Sequence, residues 1–138
     1  MDLFYTVRQH VLKELDGMVA GGELPAGLDM TSVAVEPPRD PLHGDMATNA
    51  AMVLSKSAKK NPREIAENLA NRLSNVDIIE NLQVAGPGFL NLRISIKAWQ
   101  SNLNKILELG SAYGRTGLGK NLRVNVEFVS ANPTGPLH

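Results

Sequence analysis

Leu90, Leu92, Ile94 and Ile96 alternate with Phe89, Asn91, Arg93 and Ser95. Successive side chains of a strand point to opposite faces, so this segment gives one face to a core and the other to solvent or a ligand. A half-buried strand needs partner strands and a covering layer, and both must come from the remaining sequence. Val76–Val84 reads as one partner, joined through Gly86-Pro87-Gly88, a turn that suits glycine-flanked geometry. Thr31–Glu36 is short and β-branched and runs into Pro37-Pro38 and Pro41, which allows an edge strand followed by an irregular loop.

Helical periodicities supply the cover. Phe4, Val7, Val11, Leu15 and Met18 form the stripe of a helix over 3–20 that Gly21-Gly22 stops. From Met46, the run with Ala47, Ala50, Ala51 and Leu54 predicts a close-packed helix with Asp45 as its N-cap. Asn61-Pro62-Arg63-Glu64 opens another, since Asn61 can cap, Pro62 suits the first helical position and Glu64 suits a capping box; its stripe is Ile65, Leu69 and Leu73. Lys97–Leu109 carries Trp99, Leu103, Ile106 and Leu107 at helical spacing, with Trp99 expected in the core and Gly110 as the stop. Residues 1–110 are therefore expected to form an α+β domain, a small antiparallel sheet packed against about four helices. Gly114, Gly117 and Gly119 mark 111–121, where Tyr113 also lies, as a linker. Leu122–Val129 then reads as an apolar strand, and a strand needs neighbours, so 122–138 is expected to open a further domain of a longer protein.

Fourteen Lys plus Arg balance fourteen Asp plus Glu, so no global field draws this chain of 138 residues to nucleic acid or a membrane, and any such contact must be local. With no cysteine there is no disulfide framework, and three scattered histidines give no zinc spacing. No leader-like start or long apolar run is present, so a soluble, cytoplasmic protein without a membrane partner is expected. Lys56, Lys59, Lys60 and Arg63 cluster where one predicted helix hands over to the next, either as a phosphate contact or as a solvated helix end. By residue type, His43 and Asp45 suit a metal pair or an acid/base dyad; with no third ligand nearby, capping and loop packing are favoured and no metal is expected.

Two segments carry candidate chemistry. The run Val126–His138 places Glu127, Ser130, Asn132 and His138 at the carboxyl end of the last predicted strand, where ligands bind in open α/β sheets. Glu127 can pair with a cation, Ser130 and Asn132 can orient an ammonium or carboxylate, and His138 can donate to phosphate; the alternative is a proline-capped loop with a satisfied glutamate. On the outward face of the alternating strand, Phe89 offers a ring for a base to stack on, Asn91 an amide for a base edge, and Arg93 continues the row. Burial of Phe89 under a helix is the other reading.

Val124–His138, with its stretch Ala131-Asn132-Pro133-Thr134-Gly135-Pro136-Leu137-His138, resembles the entry to the ATP-binding signature of bacterial arginyl-tRNA synthetases, a class I family. His43-Gly44-Asp45-Met46-Ala47-Thr48-Asn49 and Ala85-Gly86-Pro87-Gly88-Phe89-Leu90-Asn91 are similar to two signatures of that family's N-terminal domain. Three ordered motifs are far more specific than one. The resemblance implies that 122–138 begins a Rossmann-like catalytic domain, with Glu127, Ser130 and Asn132 at arginine-binding positions. It places His138 at the first histidine of the HIGH-type signature, a catalytic group that stabilises ATP phosphates. It further implies ligation of arginine to tRNA(Arg) through arginyl-adenylate, with L-arginine, ATP and Mg2+ as small partners, in an enzyme expected to be monomeric. The segment 1–110 would contact the tRNA at its D-loop corner through Phe89 and Asn91, and Lys56, Lys59, Lys60 and Arg93 are expected to add to that surface. The second signature histidine and the lysine signature lie outside this chain, so it is expected to be inactive alone. Two rivals are another nucleotidyltransferase with a HIGH signature and a non-enzymatic α+β RNA-binding module.

Overall fold

The computed structural model describes residues 2–38, 40–115, 117, 119 and 122–127. Its element order is α1 (Leu3–Ala20), β1 (Val35–Glu36), β2 (Met46–Thr48), α2 (Ala50–Ala58), α3 (Pro62–Leu73), β3 (Ile79–Ala85), β4 (Phe89–Ile94) and α4 (Ile96–Leu109), with single 3-10 turns at Pro41–His43 and Gly110–Ala112. The alternating segment is the interior strand β4, in an antiparallel sheet of order β1-β2-β4-β3. Leu92 lies opposite Met46 on one side and Leu82 on the other, and Asn91 opposite Ala47 and Gln83. Since the pleat alternates, this register puts Leu90, Leu92 and Ile94 into the core, beside Met46 and Thr48.

Helices α1, α2 and α3 form the second layer. Val7, Val11, Leu15 and Met18 of α1 and Ile65, Leu69 and Leu73 of α3 are fully buried with Leu54 of α2. The expected stripe of α1 is shifted by one residue at its start: Leu3 is buried and Phe4 half-buried. Asp2 caps α1 by accepting from Tyr5 N–H at 2.7 Å, and Asn61 caps α3 by accepting from Arg63 N–H at 2.9 Å, as its sequence predicts. Arg72 of α3 donates to Glu23 beyond the end of α1, and this bond holds the Glu23 carboxyl below its ordinary pKa range.

Several expectations are corrected. The helix expected from Met46 begins at Ala50, because Met46–Thr48 pairs with β4; the ladder overrides the helical preference of a local alanine. Asp45 therefore caps no helix. Its carboxylate accepts from Ile94 N–H at 2.8 Å, and its own N–H donates to Leu92 C=O at 2.9 Å. The strand expected from Val76 starts at Ile79 with an irregular register before Asn81. Ile96 leaves the strand pattern and opens α4, where Ser95 is the N-cap. Trp99 is not core: it is 37% exposed, with Leu103 at 54% and Leu107 at 71%, and Ala98 is the one buried residue of α4 among the described residues. Residues 122–127, where the first strand of a further domain is expected, are exposed and form no ladder with the described residues.

Asp45→Ala removes a charged acceptor from a partly buried strand N–H, and hydrogen bonds of that kind contribute about 1.5–3 kcal/mol. Chemical denaturation should show a loss of that order, whereas a change within about 0.5 kcal/mol, the range of ordinary surface substitutions, would show that the contact is incidental.

Candidate nucleic-acid interface

The face of the sheet turned away from the helices carries a cross-strand row in register: Glu36, Ala47, Asn91 and Gln83. Phe89 stands beside the row opposite Ala85, and Arg93 opposite Asn81 on the other side. These side chains share one face because they occupy alternate positions of β4, as the sequence predicts.

A wall over this face is built by the loop between β1 and β2. Asp40 accepts from Leu42 N–H at 2.9 Å and starts the 3-10 turn Pro41–His43. Gly44 follows at φ 120°, where a Cβ would lie 2.7 Å from the carbonyl oxygen of Leu92, so only glycine lets the loop approach β4 this closely. Asp45 then fixes the approach through Ile94. Asn49 completes the tie, accepting from Ala34 N–H at 2.8 Å, while Thr48 donates to Ala34 C=O at 2.8 Å. His43 is carried on the wall, and the Asp45 carboxylate accepts from the backbone of Ile94; no group of three ligating side chains occurs among the described residues.

Between wall and sheet lies a cavity of about 710 Å³, lined by Glu36, Pro37, Asp40, His43, Asn91 and Phe89 among others. The wall leaves Asn91 only 6% exposed. Its amide takes part in no hydrogen bond with the described residues, and Asn91 lines the cavity. An amide in that position offers both a donor and an acceptor to an incoming group. Phe89 is 44% exposed at the cavity's edge and is not covered by a helix.

The turn holding Phe89 is seated on α3. Gly88 has φ 149°, and a Cβ there would lie 2.9 Å from the backbone C and O of Pro62. This contact places the aromatic beside the corner between α2 and α3. At that corner Lys60 pairs with Glu64 at 3.8 Å and Arg63 with Glu67 at 3.1 Å, both along the helix surface. Lys56 and Lys59 are exposed and have no ion-pair partner among the described residues. Lys59 itself ends α2 in the left-handed conformation, φ 53°. Glu36 and Asp40 set two carboxylates on the cavity, while Lys56 and Lys59, with no ion-pair partner among the described residues, favour phosphate outside it.

The sequence reading singles out Phe89, Asn91, Arg93 and the lysines, and the structure brings Phe89 and Asn91 together on one cavity. It leaves out Glu36 and Asp40, whose only signal is their position on either side of the prolines. Glu127 is exposed on the unpaired segment 122–127. Ser130, Ala131, Asn132, Pro133, Thr134, Gly135, Pro136, Leu137 and His138 lie outside the described residues.

The chain is similar to known arginyl-tRNA synthetases. The family described as "Arginyl tRNA synthetase N terminal domain" matches residues 6–94. An arginine–tRNA ligase of Cereibacter sphaeroides (strain ATCC 17025) is 61% identical over all 138 residues, which span 24% of that relative. One from Ruegeria sp. (strain TM1040) is 58% identical over the same residues and again 24% of its length. The fold is shared with a crystal structure of an arginyl-tRNA synthetase from Plasmodium falciparum, at a TM-score of 0.63 and 16% identity over 77% of this chain and 18% of that one.

Gly88→Ala should destabilise the chain and displace the Phe89 turn, since a Cβ would meet backbone at α3 and the φ is strained for any L side chain. Thermal unfolding together with the Phe89 ring proton shifts checks this. An unchanged midpoint and unchanged shifts would mean that the turn is not seated on α3.

Proposed function

Since the chain belongs to the arginyl-tRNA synthetase family, through its N-terminal domain, we propose that it is the tRNA-contacting part of an arginine–tRNA ligase. In the longer protein, ATP and L-arginine give arginyl-adenylate and pyrophosphate, and the terminal ribose hydroxyl of tRNA(Arg) then attacks the activated carbonyl. Glu127 suits the guanidinium of arginine, because a carboxylate can accept two parallel N–H bonds from it. Ser130 and Asn132 orient the amino acid, and His138 donates to phosphate oxygens of ATP, whose Mg2+ spreads their charge. The chain on its own lacks the rest of that site and is inactive. The enzyme works as a cytoplasmic monomer; no helix among the described residues is long and apolar enough to cross a membrane.

The observation that carries the RNA reading is the exposed ring of Phe89 beside Asn91, on a cavity that Glu36 and Asp40 also line, with lysines outside it. A base turned out of the D-loop stacks on Phe89 and presents its edge to Asn91. The carboxylates keep the backbone phosphates out, and Lys56, Lys59 and Lys60 meet them at the corner, with Arg93 extending the polar row along the sheet. A nucleotidyltransferase of another kind has no use for such a face.

Stacking of a base on an aromatic side chain is worth about 1–3 kcal/mol, so Phe89→Ala in the longer enzyme should lower kcat/KM for tRNA by roughly tenfold to a hundredfold and leave the KM values for arginine and ATP unchanged. Asn91→Ala should also flatten the preference among D-loop base variants, because a lost base-edge contact removes discrimination. Steady-state aminoacylation measures both. Normal charging with an unaltered D-loop preference in both variants would place the RNA contact elsewhere.

A further inference from the structure

Helix α4 is amphipathic, and among the described residues nothing covers its apolar side. Ile96, Trp99, Leu103, Ile106 and Leu107 recur at three- and four-residue spacing on a helix of 14 residues, yet Ile96, Trp99, Leu103 and Leu107 are all exposed. Helices of that length draw their stability chiefly from tertiary packing, which the described residues supply only at Ala98. A shallow concavity of about 600 Å³ between the start of α4 and residues 77–80 opens beside the same helix. Further along the chain Leu122, Val124 and Val126 alternate with polar residues, and all three are exposed without a ladder partner. Two successive elements thus present apolar surface of the kinds that helix packing and strand pairing cover.

We propose that the apolar stripe of α4 is an intramolecular interface, covered by the polypeptide that follows this chain in the longer synthetase, and that residues 122–127 enter the same body. The inference rests on family membership and not on the RNA reading. The chain matches 24% of the relatives' length, which leaves ample chain to form such a body. The area argues against a second copy. A stripe about 21 Å long, at about 1.5 Å per residue and about 10 Å across, covers only a few hundred Å², whereas a standard interface needs roughly 800 Å² per partner. A body attached through the chain needs far less contact, because the linker holds it at high effective concentration.

Amide hydrogen exchange of α4, compared between residues 1–138 and the full-length enzyme, tests the proposal. Exchange across Trp99–Leu107 should be roughly tenfold slower or more in the full-length enzyme without tRNA. The double variant Leu103→Glu, Leu107→Glu should leave the thermal midpoint of residues 1–138 unchanged and should abolish that protection in the full-length enzyme. Equal exchange in the two wild-type proteins overturns the proposal, as does protection that arises only when tRNA is added. Sedimentation of residues 1–138 as a dimer that the double variant dissociates, with α4 unprotected in the full-length enzyme, also overturns it and assigns the stripe to a second copy.

Discussion

The Asp45 carboxylate on the N–H of Ile94 ties together the parts that the site requires. Asp45 also donates its own N–H to the Leu92 carbonyl, so one residue pins the end of the loop before β2 to β4 on either side of Arg93. Gly44 makes this possible by carrying no side chain where the Leu92 carbonyl lies 2.7 Å from a would-be Cβ. From that anchor Met46 enters the ladder rather than a helix, and the loop stands over the outer face. Without the anchor, Asn91 would lie on an open sheet; with it, Asn91 lines a cavity. The two similar signature stretches have distinct physical tasks. The His43–Asn49 stretch builds the wall, and the Ala85–Asn91 stretch supplies the turn, the ring and the amide.

On the proposed reading, the site separates two kinds of RNA contact. Lys56 and Lys59 at the α2–α3 corner are exposed, without an ion-pair partner among the described residues, and as phosphate contacts they would contribute affinity that falls with salt and carries no base information. Phe89 and Asn91 line a cavity beside carboxylates, a setting that on the proposed reading suits a base better than a phosphate. The contact of Gly88 with Pro62 fixes the distance between the two, so the backbone and base of one nucleotide can be held by different elements of the same small domain. A chain with balanced charge can bind a polyanion in this way without a global field.

Much of this was legible in the sequence because the inner face of β4, the stripe of α3 and its Asn61 cap all follow from local periodicity and capping. Misreadings came where a distant partner decided the outcome. Nothing near Met46 says that it pairs with Leu92, and nothing near Asp45 says that its acceptor is used 49 residues away. The helical spacing of Trp99 with Leu103 is correct, but periodicity reports an apolar face and not what covers it. Glu36 and Asp40 escaped because their role is set by the wall that brings them over the sheet.

Backbone amide shifts of 15N-labelled residues 1–138, titrated with unmodified tRNA(Arg), test most directly whether the walled face of the sheet is where RNA is bound. Salt-dependent shifts should fall on Lys56–Arg63, and shifts that a D-loop base change removes should fall on Gly86 and on Gly88–Asn91, leaving the buried face of α1 and the α4 stripe silent. Shifts concentrated on α1 or α4, or a pattern at Gly88–Asn91 that ignores the D-loop sequence, would contradict the account.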